Sequence, residues 1–490
     1  DIYKPMYNLP PHLLSGGPGG AELSGSHRRK GDIPAIAPEL YEFLLDFVDD
    51  NPEPDMEDPP ADAGLVYRGM GNWYRGNSAS NNWAVDGEWT GTGKSALATD
   101  SHMPHMLPSM GYLFNLKKTG EYAAIGAGFA GLPAVAFGTN GSVAWGATSN
   151  WADVTDLYVV KPIGNDSDYY EYMEEKVPFR KRVETFKIRQ DDGSFTEETF
   201  TVRETRHGVI LNDFIDRIRE GFPLLALKRN RILGKPLSAL RRVYHSGGVG
   251  EAKKAFHDFF AFTGHWVLAD KNGEIGYAGS VRLPRRDYHL GTLPVPGWLD
   301  KYEWKGFVGT EELPEELPFI SSSANGYVGT ANNQVIDPEA VPYPYNIEGS
   351  TPFRYQRIME VLERGRQGKN VWEIMSDLQM DGRFTGWDLL RPRLLVVLAP
   401  LKEDTDPLIS KAAEELIEWS GDNLGHLVGP TIYNIFQIQA FKAAMEDEVS
   451  PRTFHFYLSF YNLEPFVYDL LNDPNNPAWD DLRTLDVESY

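Results

Sequence analysis

The sequence predicts an α+β fold, and three features of the chain lead to that prediction. Residues 1–79 are rich in proline and acidic residues and show little hydrophobic periodicity. Residues 80–345 contain short apolar or alternating runs separated by Gly, Asn and Pro, which is typical of strands and turns. From residue 346 the apolar spacing becomes helical. Because helices follow the strands instead of alternating with them, a doubly wound α/β sheet is not favoured.

The first segment, residues 1–79, is predicted to be a linker or propeptide-like spacer. It contains one apolar helical stripe, at positions 40, 43, 44, 47 and 48. Eight carboxylates and four prolines lie between positions 46 and 62, a composition typical of chain that stays solvated. We therefore expect no compact domain before residue 80.

The second segment, residues 80–345, is predicted to be a β-rich core, and the third, residues 346–490, a helical region of the same subunit. Strand-like runs occur at positions 95–99, 134–137, 142–145, 156–160, 182–186, 200–203, 265–269 and 274–277. Helical stripes occur at positions 358–362, 372–378, 409–417, 433–445 and 454–471. Pro407 is placed to open the third of these helices.

Composition excludes several classes of function. The chain carries 47 Lys and Arg against 70 Asp and Glu, a formal net charge of −23. This charge argues against binding nucleic acid or an anionic membrane through a basic surface. The absence of cysteine rules out disulfides, a thiolate nucleophile and cysteine-bound metals. The longest apolar run, Leu394–Leu401, is far shorter than the ~18 residues that would span a bilayer.

Three short motifs are not expected to be functional. A phosphate loop at residues 91–95 would need glycine where the chain has Glu88, and a strand-like run follows the loop where a helix is required. The G-x-G-x-x-G pattern at residues 126–131 is followed by Pro133, so we expect a glycine-rich strand and bend approached closely by other backbone. The histidine pair within residues 102–105 has a proline between its members and no obvious third zinc ligand.

A series of motifs along residues 80–380 carries the strongest functional signal. They are Ser80–Val85, Leu97–Met103, Gly131–Pro133, Phe137–Gly141, Ala144–Asn150, Asp153–Asp156, Ala269–Tyr277, Leu293–Gly297, Trp304–Gly306, Thr330–Asn333 and Arg354–Ile358. In this order they resemble the catalytic half of the penicillin acylase (penicillin amidase) family of N-terminal-nucleophile (Ntn) hydrolases, with Ser101 in place of a family proline. The resemblance implies an αββα sandwich of two antiparallel sheets with a helical C-terminal elaboration.

Ser80 is the nucleophile that the resemblance implies. Autoproteolysis between Ala79 and Ser80 would give Ser80 a free α-amine, whose ordinary pKa of ~8 leaves it partly neutral near pH 7. This amine can act as general base for the serine's own hydroxyl, directly or through one water, so that no His–Asp pair is needed. Taken without its neighbours, Ser80 is also typical of a turn serine before a strand.

The resemblance implies four further active-site residues. The Asn332 amide and the Ser149 backbone N–H would stabilise the tetrahedral oxyanion, at roughly 3–4 kcal/mol per donor. His102 would orient the amine or polarise the leaving group. Arg354 would tune the site electrostatically and hold Asn332 in place. Structural alternatives stay open: a turn asparagine, a buried hydrogen-bonded histidine and a surface ion pair.

A calcium site is the one metal site that the resemblance implies. Asp153, Asp156 and the carbonyl of Thr155 match ligands of the family's site, and hard oxygen ligands suit Ca²⁺. The third carboxylate of that site has no match in residues 343–346. The alternative is a solvated pair of aspartates at a strand end. No organic cofactor is implied.

The acyl pocket is expected to be lined by Met103, Phe137, Ala147 and Trp151. Apolar walls imply an apolar acyl group, either aromatic or aliphatic. The sequence does not distinguish a phenylacetyl group, a β-lactam side chain and a fatty acyl chain.

The predicted activity is hydrolysis of a linear amide, on a small-molecule acyl substrate, through an acyl-enzyme on Ser80. An N-acyl-homoserine-lactone acylase is the alternative within the family. A non-catalytic, calcium-stabilised acidic binding protein on the same fold is the alternative outside it. The resemblance also implies a smaller N-terminal subunit of the same precursor as partner, absent from this chain. A periplasmic or secreted location is implied too, although a cytoplasmic one stays open.

Overall fold

The computed structural model describes residues 37–40, 43, 79–103, 106–164, 166–215, 222–229, 236–308, 319–320, 325–335, 345, 351–366, 370–445, 467 and 470–471. The predicted linker therefore lies mostly outside the described residues, as do His105 of the histidine pair and most of the helix predicted at 454–471.

The described residues form strands and helices in the order that the sequence predicts. The strands are β1 (Ala79–Val85), β2 (Ala96–His102), β3 (Gly111–Lys118), β4 (Tyr122–Phe129), β5 (Phe137–Thr139), β6 (Val143–Ser149), β7 (Thr155–Val160), β8 (Pro162–Ile163), β9 (Asp166–Tyr172), β10 (Glu175–Pro178), β11 (Arg180–Arg189), β12 (Phe195–Glu204), β13 (Val209–Ile210), β14 (Leu224–Arg229), β15 (Gly264–Asp270), β16 (Ile275–Ser280), β17 (Leu283–Pro284), β18 (Val295–Pro296), β19 (Phe307–Val308), β20 (Phe319–Ile320) and β21 (Tyr327–Thr330). The helices are α1 (Gly87–Thr90), α2 (Pro236–His245), α3 (Val249–His257), α4 (Phe353–Gly365), α5 (Val371–Gln379), α6 (Gly386–Leu401), α7 (Pro407–Glu418) and α8 (Gly429–Met445).

Two antiparallel sheets form the centre of the molecule. One has the strand order β2-β1-β21, and the other has the order β20-β16-β15-β6-β5-β4-β3. The sheets pack face to face through β1, β2, β6 and β15. Helices α2 and α3 cover the outer face of the larger sheet, while α4 and α5 cover the smaller one. The predicted αββα sandwich is therefore confirmed.

Strand β15 shows how the apolar runs of the sequence build this sandwich. All of its residues are buried, so both of its faces are covered. Trp266 points toward the helical layer, where it stacks on Phe256 of α3 with ring centroids 3.9 Å apart. Val267 points the other way and belongs to the core between the two sheets. The sequence of such a strand is a nearly continuous apolar run, because neither of its faces is exposed to solvent.

A third sheet extends the sandwich beyond the prediction. It has the order β11-β12-β13-β14-β7-β18, in which only the pair β7 and β18 is parallel. Its core includes Tyr158, Ile210, Ala226 and Trp298. The sequence runs at 156–160, 182–186 and 200–203 predicted several of these strands. Alternation identifies a strand but not the sheet it joins, so the additional sheet was not foreseen.

The glycine motifs take the non-functional forms that were expected. Gly91 and Gly93 have φ of +65° and +72° in a turn that leads into β2. In β4, a Cβ on Gly126 would stand 2.0 Å from the carbonyl oxygen of Phe137 in β5, the close backbone approach that the pattern predicted. The run at 134–137 was predicted wrongly as a strand, because β5 begins only at Phe137.

The helical region contains α4 to α8, and it matches four of the predicted stripes. Helix α7 begins at Pro407, as predicted, and Asp406 caps it by accepting a hydrogen bond of 2.8 Å from the Leu408 N–H. Helix α6 was missed, because two prolines lie inside it and its apolar residues do not form a single stripe. Across the residues described, no helix is both long and apolar enough to cross a membrane.

Candidate active site

The candidate site lies at the start of β1, the middle strand of the smaller sheet. Ser80 pairs with Ser101 of β2, and Asn82 pairs with Thr330 at the end of β21. The turn that follows β21 carries Asn332 back beside Ser80. Residues 252 positions apart in the chain thus meet because β1 and β21 are neighbours.

Ser80 is held by two side chains that the sequence had assigned to the site. Its backbone N–H donates to Asn332 Oδ1 at 2.8 Å. Arg354 of α4 donates to the Ser80 carbonyl at 2.8 Å and to Asn332 Oδ1 at 3.1 Å. The Ser80 hydroxyl lies 2.5 Å from the carbonyl oxygen of Ala79, beside the peptide bond that is predicted to be cut.

Asn332 also brings Ser149 into the site. Its Nδ2 donates to the Ser149 carbonyl at 2.9 Å, across the gap between β21 and the end of β6. An amide nitrogen carries two N–H groups, so Nδ2 has a second donor for an oxyanion. Asn332 is 1% exposed and has φ of +62°, a left-handed conformation that asparagine adopts more readily than most residues.

The buried side chain of His265 supports the turn that carries Asn332. The His265 ring lies 3.1 Å from the Asn333 carbonyl through Nε2 and 2.7 Å from the Tyr277 hydroxyl through Nδ1. Burial lowers the pKa of His265 to about 3, so the ring is neutral near pH 7. The sequence reasoning missed this support, because nothing in the local pattern separates His265 from other residues of a buried strand.

The structure does not place the His102 side chain on Ser80. Its Nε2 lies 3.1 Å from Asp100 Oδ2 and 3.4 Å from Asn81 Nδ2. Asn81 Oδ1 in turn accepts a hydrogen bond of 2.7 Å from Arg354. Asn81 and Asp100 are thus site residues that the sequence reasoning missed. Both stand inside motifs that had been singled out, and their hydrogen-bonding side chains were the available signal.

A cavity of about 1040 Å³ lies next to this network. Met103 and Phe137, two of the four residues expected in the acyl pocket, line it together with Leu97, Met106 and Leu113. Parts of β2, β3 and β4 contribute to its wall. These apolar side chains make the cavity suited to an apolar group.

Two of the four predicted pocket residues do not line this cavity. Ala147 is 2% exposed and packs in the core beneath α2 and α3, on the face of β6 that it shares with Trp145. Trp151 has φ of +51° in the connection after β6. Ala147 belongs to the same buried core as Trp145, two residues before it on that face.

The cavity opens toward the face of the sheet on which Ser80 stands. Leu97, Thr99 and Ser101 line it from β2. Their partners in β1 are Ala84, Asn82 and Ser80, and directly paired residues in an antiparallel ladder point to the same face. The Ser80 side chain is therefore on the cavity side, whereas Asn81 faces the helical layer with Arg354.

The residues of the predicted calcium site do not fit a Ca²⁺ ion. Arg286 Nε donates to Asp156 Oδ2 at 2.8 Å, and Arg286 Nη2 lies 3.2 Å from Asp153 Oδ2. Trp304 Nε1 donates to the same oxygen of Asp156. Within the described ranges, no group of three or more His, Cys, Asp and Glu side chains is arranged to hold a metal.

Comparison with known proteins decides the family. The family model described as Penicillin amidase matches residues 13–489. The chain belongs to the penicillin amidase family. This confirms the resemblance seen in the motifs around Ser80.

Several curated relatives are similar over much of the chain. An acyl-homoserine lactone acylase QuiP from Pseudomonas fluorescens (strain Pf0-1) is 30% identical over 84% of this chain and 51% of its own length. Penicillin acylase 2 proenzyme from Pseudomonas sp. (strain SE83) is 29% identical over 62% of this chain and 38% of its own length. Penicillin G acylase from Escherichia coli is 26% identical over 71% of this chain and 39% of its own length. The chain spans about half the length of the first of these relatives, and less of the other two.

The fold is shared with a solved member of the family. A thermostable penicillin G acylase from Alcaligenes faecalis superposes with a TM-score of 0.61 at 21% identity, covering 77% of this chain and 66% of that one. At this identity the likeness concerns the fold, and it agrees with the αββα sandwich described above.

Proposed function

We propose that this chain is the catalytic part of an amidohydrolase that cleaves linear amides with an apolar acyl group. Activity would begin with a cut between Ala79 and Ser80. The observation that carries the proposal is the contact of 2.8 Å between the Ser80 backbone nitrogen and Asn332 Oδ1, beside a large apolar cavity. This nitrogen becomes the α-amine after the cut. Arg354 donates hydrogen bonds to the Ser80 carbonyl and to Asn332 Oδ1, the two groups beside that nitrogen.

The proposed mechanism uses atoms that the network already brings together. The α-amine of Ser80 takes the hydroxyl proton as Oγ attacks the substrate carbonyl. The Asn332 amide and the Ser149 N–H would stabilise the resulting oxyanion. The amine then passes the proton to the leaving nitrogen, and an acyl-enzyme ester remains on Ser80. Water, deprotonated by the same amine, attacks this ester, and the amine then passes that proton to Oγ as the bond to the acyl carbon breaks, which releases the carboxylic acid and restores Ser80.

The cavity favours a long aliphatic acyl chain over a compact one. Its volume of about 1040 Å³ is at the upper end of the roughly 300–1,000 Å³ that is usual for small-molecule sites. Three methionines and three leucines stand among its lining residues, and flexible thioethers adapt to a chain of variable conformation. An N-acyl-homoserine lactone has such a chain on a linear amide. Acyl-homoserine lactone acylase activity is therefore the candidate that we favour within the proposed class.

Intact mass and amide hydrolysis together test the proposal. The wild-type full-length protein should show a break between Ala79 and Ser80, and it should hydrolyse a long-chain acyl p-nitroanilide faster than a phenylacetyl one. Ser80→Ala should remain uncut and lose hydrolysis. Ser194→Ala, in the exposed turn between β11 and β12, is the matched control and should behave as wild type.

Three outcomes would count against the proposal. Retained hydrolysis in Ser80→Ala would reject the nucleophile. A preference for the phenylacetyl substrate would reject the hypothesis that the cavity binds a long aliphatic acyl chain. An uncut, inactive wild type that also resists serine-directed reagents would favour the non-catalytic binding protein on the same fold.

A further inference from the structure

The connection between β6 and β7 ties the predicted oxyanion donor to a buried ion pair. It runs from Ser149 to Thr155 and carries Asp153, while Asp156 follows in β7. Both aspartates contact Arg286, which lies more than a hundred residues further along the chain. The side chains of Arg286 and Asp156 are each 1% exposed. This is therefore an interior charge cluster and not a surface ion pair.

The guanidinium engages the two carboxylates with different nitrogens. Arg286 Nε donates to Asp156 Oδ2 at 2.8 Å. Nη2 lies 3.2 Å from Asp153 Oδ2 and 3.4 Å from the Asp153 carbonyl. A guanidinium carries N–H donors on three nitrogens, so it can contact two carboxylates at once, and its weak hydration makes it suited to burial.

Gly291 and Arg286 both lie close to the space between the carboxylates. A Cβ on Gly291 would stand 2.4 Å from Asp153 Oδ2 and 2.8 Å from Asp156 Oδ1. Calcium–oxygen distances are about 2.3–2.6 Å, so this point is close to a position from which an ion could contact both carboxylates. The same point is 2.7 Å from Arg286 Cζ. A divalent cation there would overlap both the arginine and the Gly291 backbone.

We infer that the Arg286 guanidinium is the cation that bridges Asp153 and Asp156 in this chain, in the place where a bound Ca²⁺ was expected from the motif. The loop after Ser149 is then anchored by an internal side chain. Its geometry does not depend on the calcium concentration. This inference is independent of the proposed function, since it concerns stability and ion binding and not hydrolysis.

Calcium titration of the wild-type full chain is the first test. After chelator treatment, the thermal midpoint should agree within about 1 °C with and without ~10 mM CaCl₂, a concentration that fills even weak extracellular sites. Calorimetric titration with CaCl₂ should show no binding. A rise of several degrees together with one bound ion per chain would overturn the inference.

Replacing the arginine is the second test. Arg286→Gln leaves two buried carboxylates without their cation, and the midpoint should fall by about 5 °C or more. Arg242→Gln is the control, because it breaks an exposed ion pair with Asp258 and should shift the midpoint by only about 1 °C. A wild-type midpoint in R286Q would overturn the inference. If R286Q does not fold, the calcium titration of the wild type still decides between the two cations.

Discussion

A single asparagine joins three parts of the site at the residue scale. Asn332 accepts from the Ser80 N–H and from Arg354, and it donates to the Ser149 carbonyl. Its φ of +62° adds a second requirement, because most side chains are strained in that conformation. The motif predicted the amide's position in the site, but not the backbone conformation that favours asparagine there.

Two substitutions separate the two requirements at Asn332. Asn332→Gly removes the amide, but glycine adopts the left-handed backbone conformation without strain. Asn332→Ala removes the amide and adds backbone strain of about 1–2 kcal/mol. Both should lower kcat by roughly 10²–10³-fold, the usual effect of losing one oxyanion donor. The alanine variant should therefore have a lower free energy of unfolding than the glycine variant. Unchanged kcat in both variants would contradict the role of the amide.

At the scale of elements, close contact between neighbouring strands shapes the wall of the cavity. Gly126 in β4 faces Phe137 and Gly138 in β5 with almost no space between the backbones. Gly126, Phe137 and Gly138 all line the cavity. The glycine pattern that resembles a nucleotide-binding motif is therefore explained by the packing of two strands.

Gly126→Ala is predicted to disturb this pair of strands. The added Cβ would lie 2.0 Å from the Phe137 carbonyl oxygen, and φ of +157° is unfavourable for alanine. We expect a loss of about 3 kcal/mol or more in the free energy of unfolding, measured by urea denaturation. Gly120→Ala is the control, since its Cβ meets nothing within 4 Å and only its φ of +79° opposes the change. Equal effects of the two substitutions would contradict this account of Gly126.

At the scale of the whole molecule, a buried carboxylate collects contacts from several parts of the third sheet. Glu303 lies between Lys228 of β14 and His207, whose ring stacks on Tyr158 of β7 with centroids 4.0 Å apart. Burial by itself would raise the pKa of Glu303, but the contacts with His207 and Lys228 outweigh burial and lower that pKa to about 2.

The Glu303 cluster predicts a specific loss of stability in acid. Because the folded pKa is about 2 and the ordinary value is 4.5, the stabilisation is complete above pH 4.5 and disappears as the pH falls toward 2. The contribution is about 3 kcal/mol. Urea unfolding of the wild type and of Glu303→Gln over this range should show a steeper loss in the wild type. Glu197→Gln, at an exposed position of β12, should keep the wild-type slope.

The sequence by itself determined the family, the α+β class and Ser80 as the predicted nucleophile. Each of these follows from local residue patterns and from the order of the motifs along the chain. It also determined that Asn332 and Arg354 belong with Ser80, since both stand in motifs of the same family. Tertiary structure decided which groups meet across long separations. Arg286 contacts Asp156 across 130 residues, and Lys228 contacts Glu303 across 75. Packing against α2 and α3 likewise buries Ala147 in the core. Local patterns show whether a segment is a helix or a strand and which of its faces is buried. The contacts between those faces depend on how the strands pair, and no local pattern specifies that pairing.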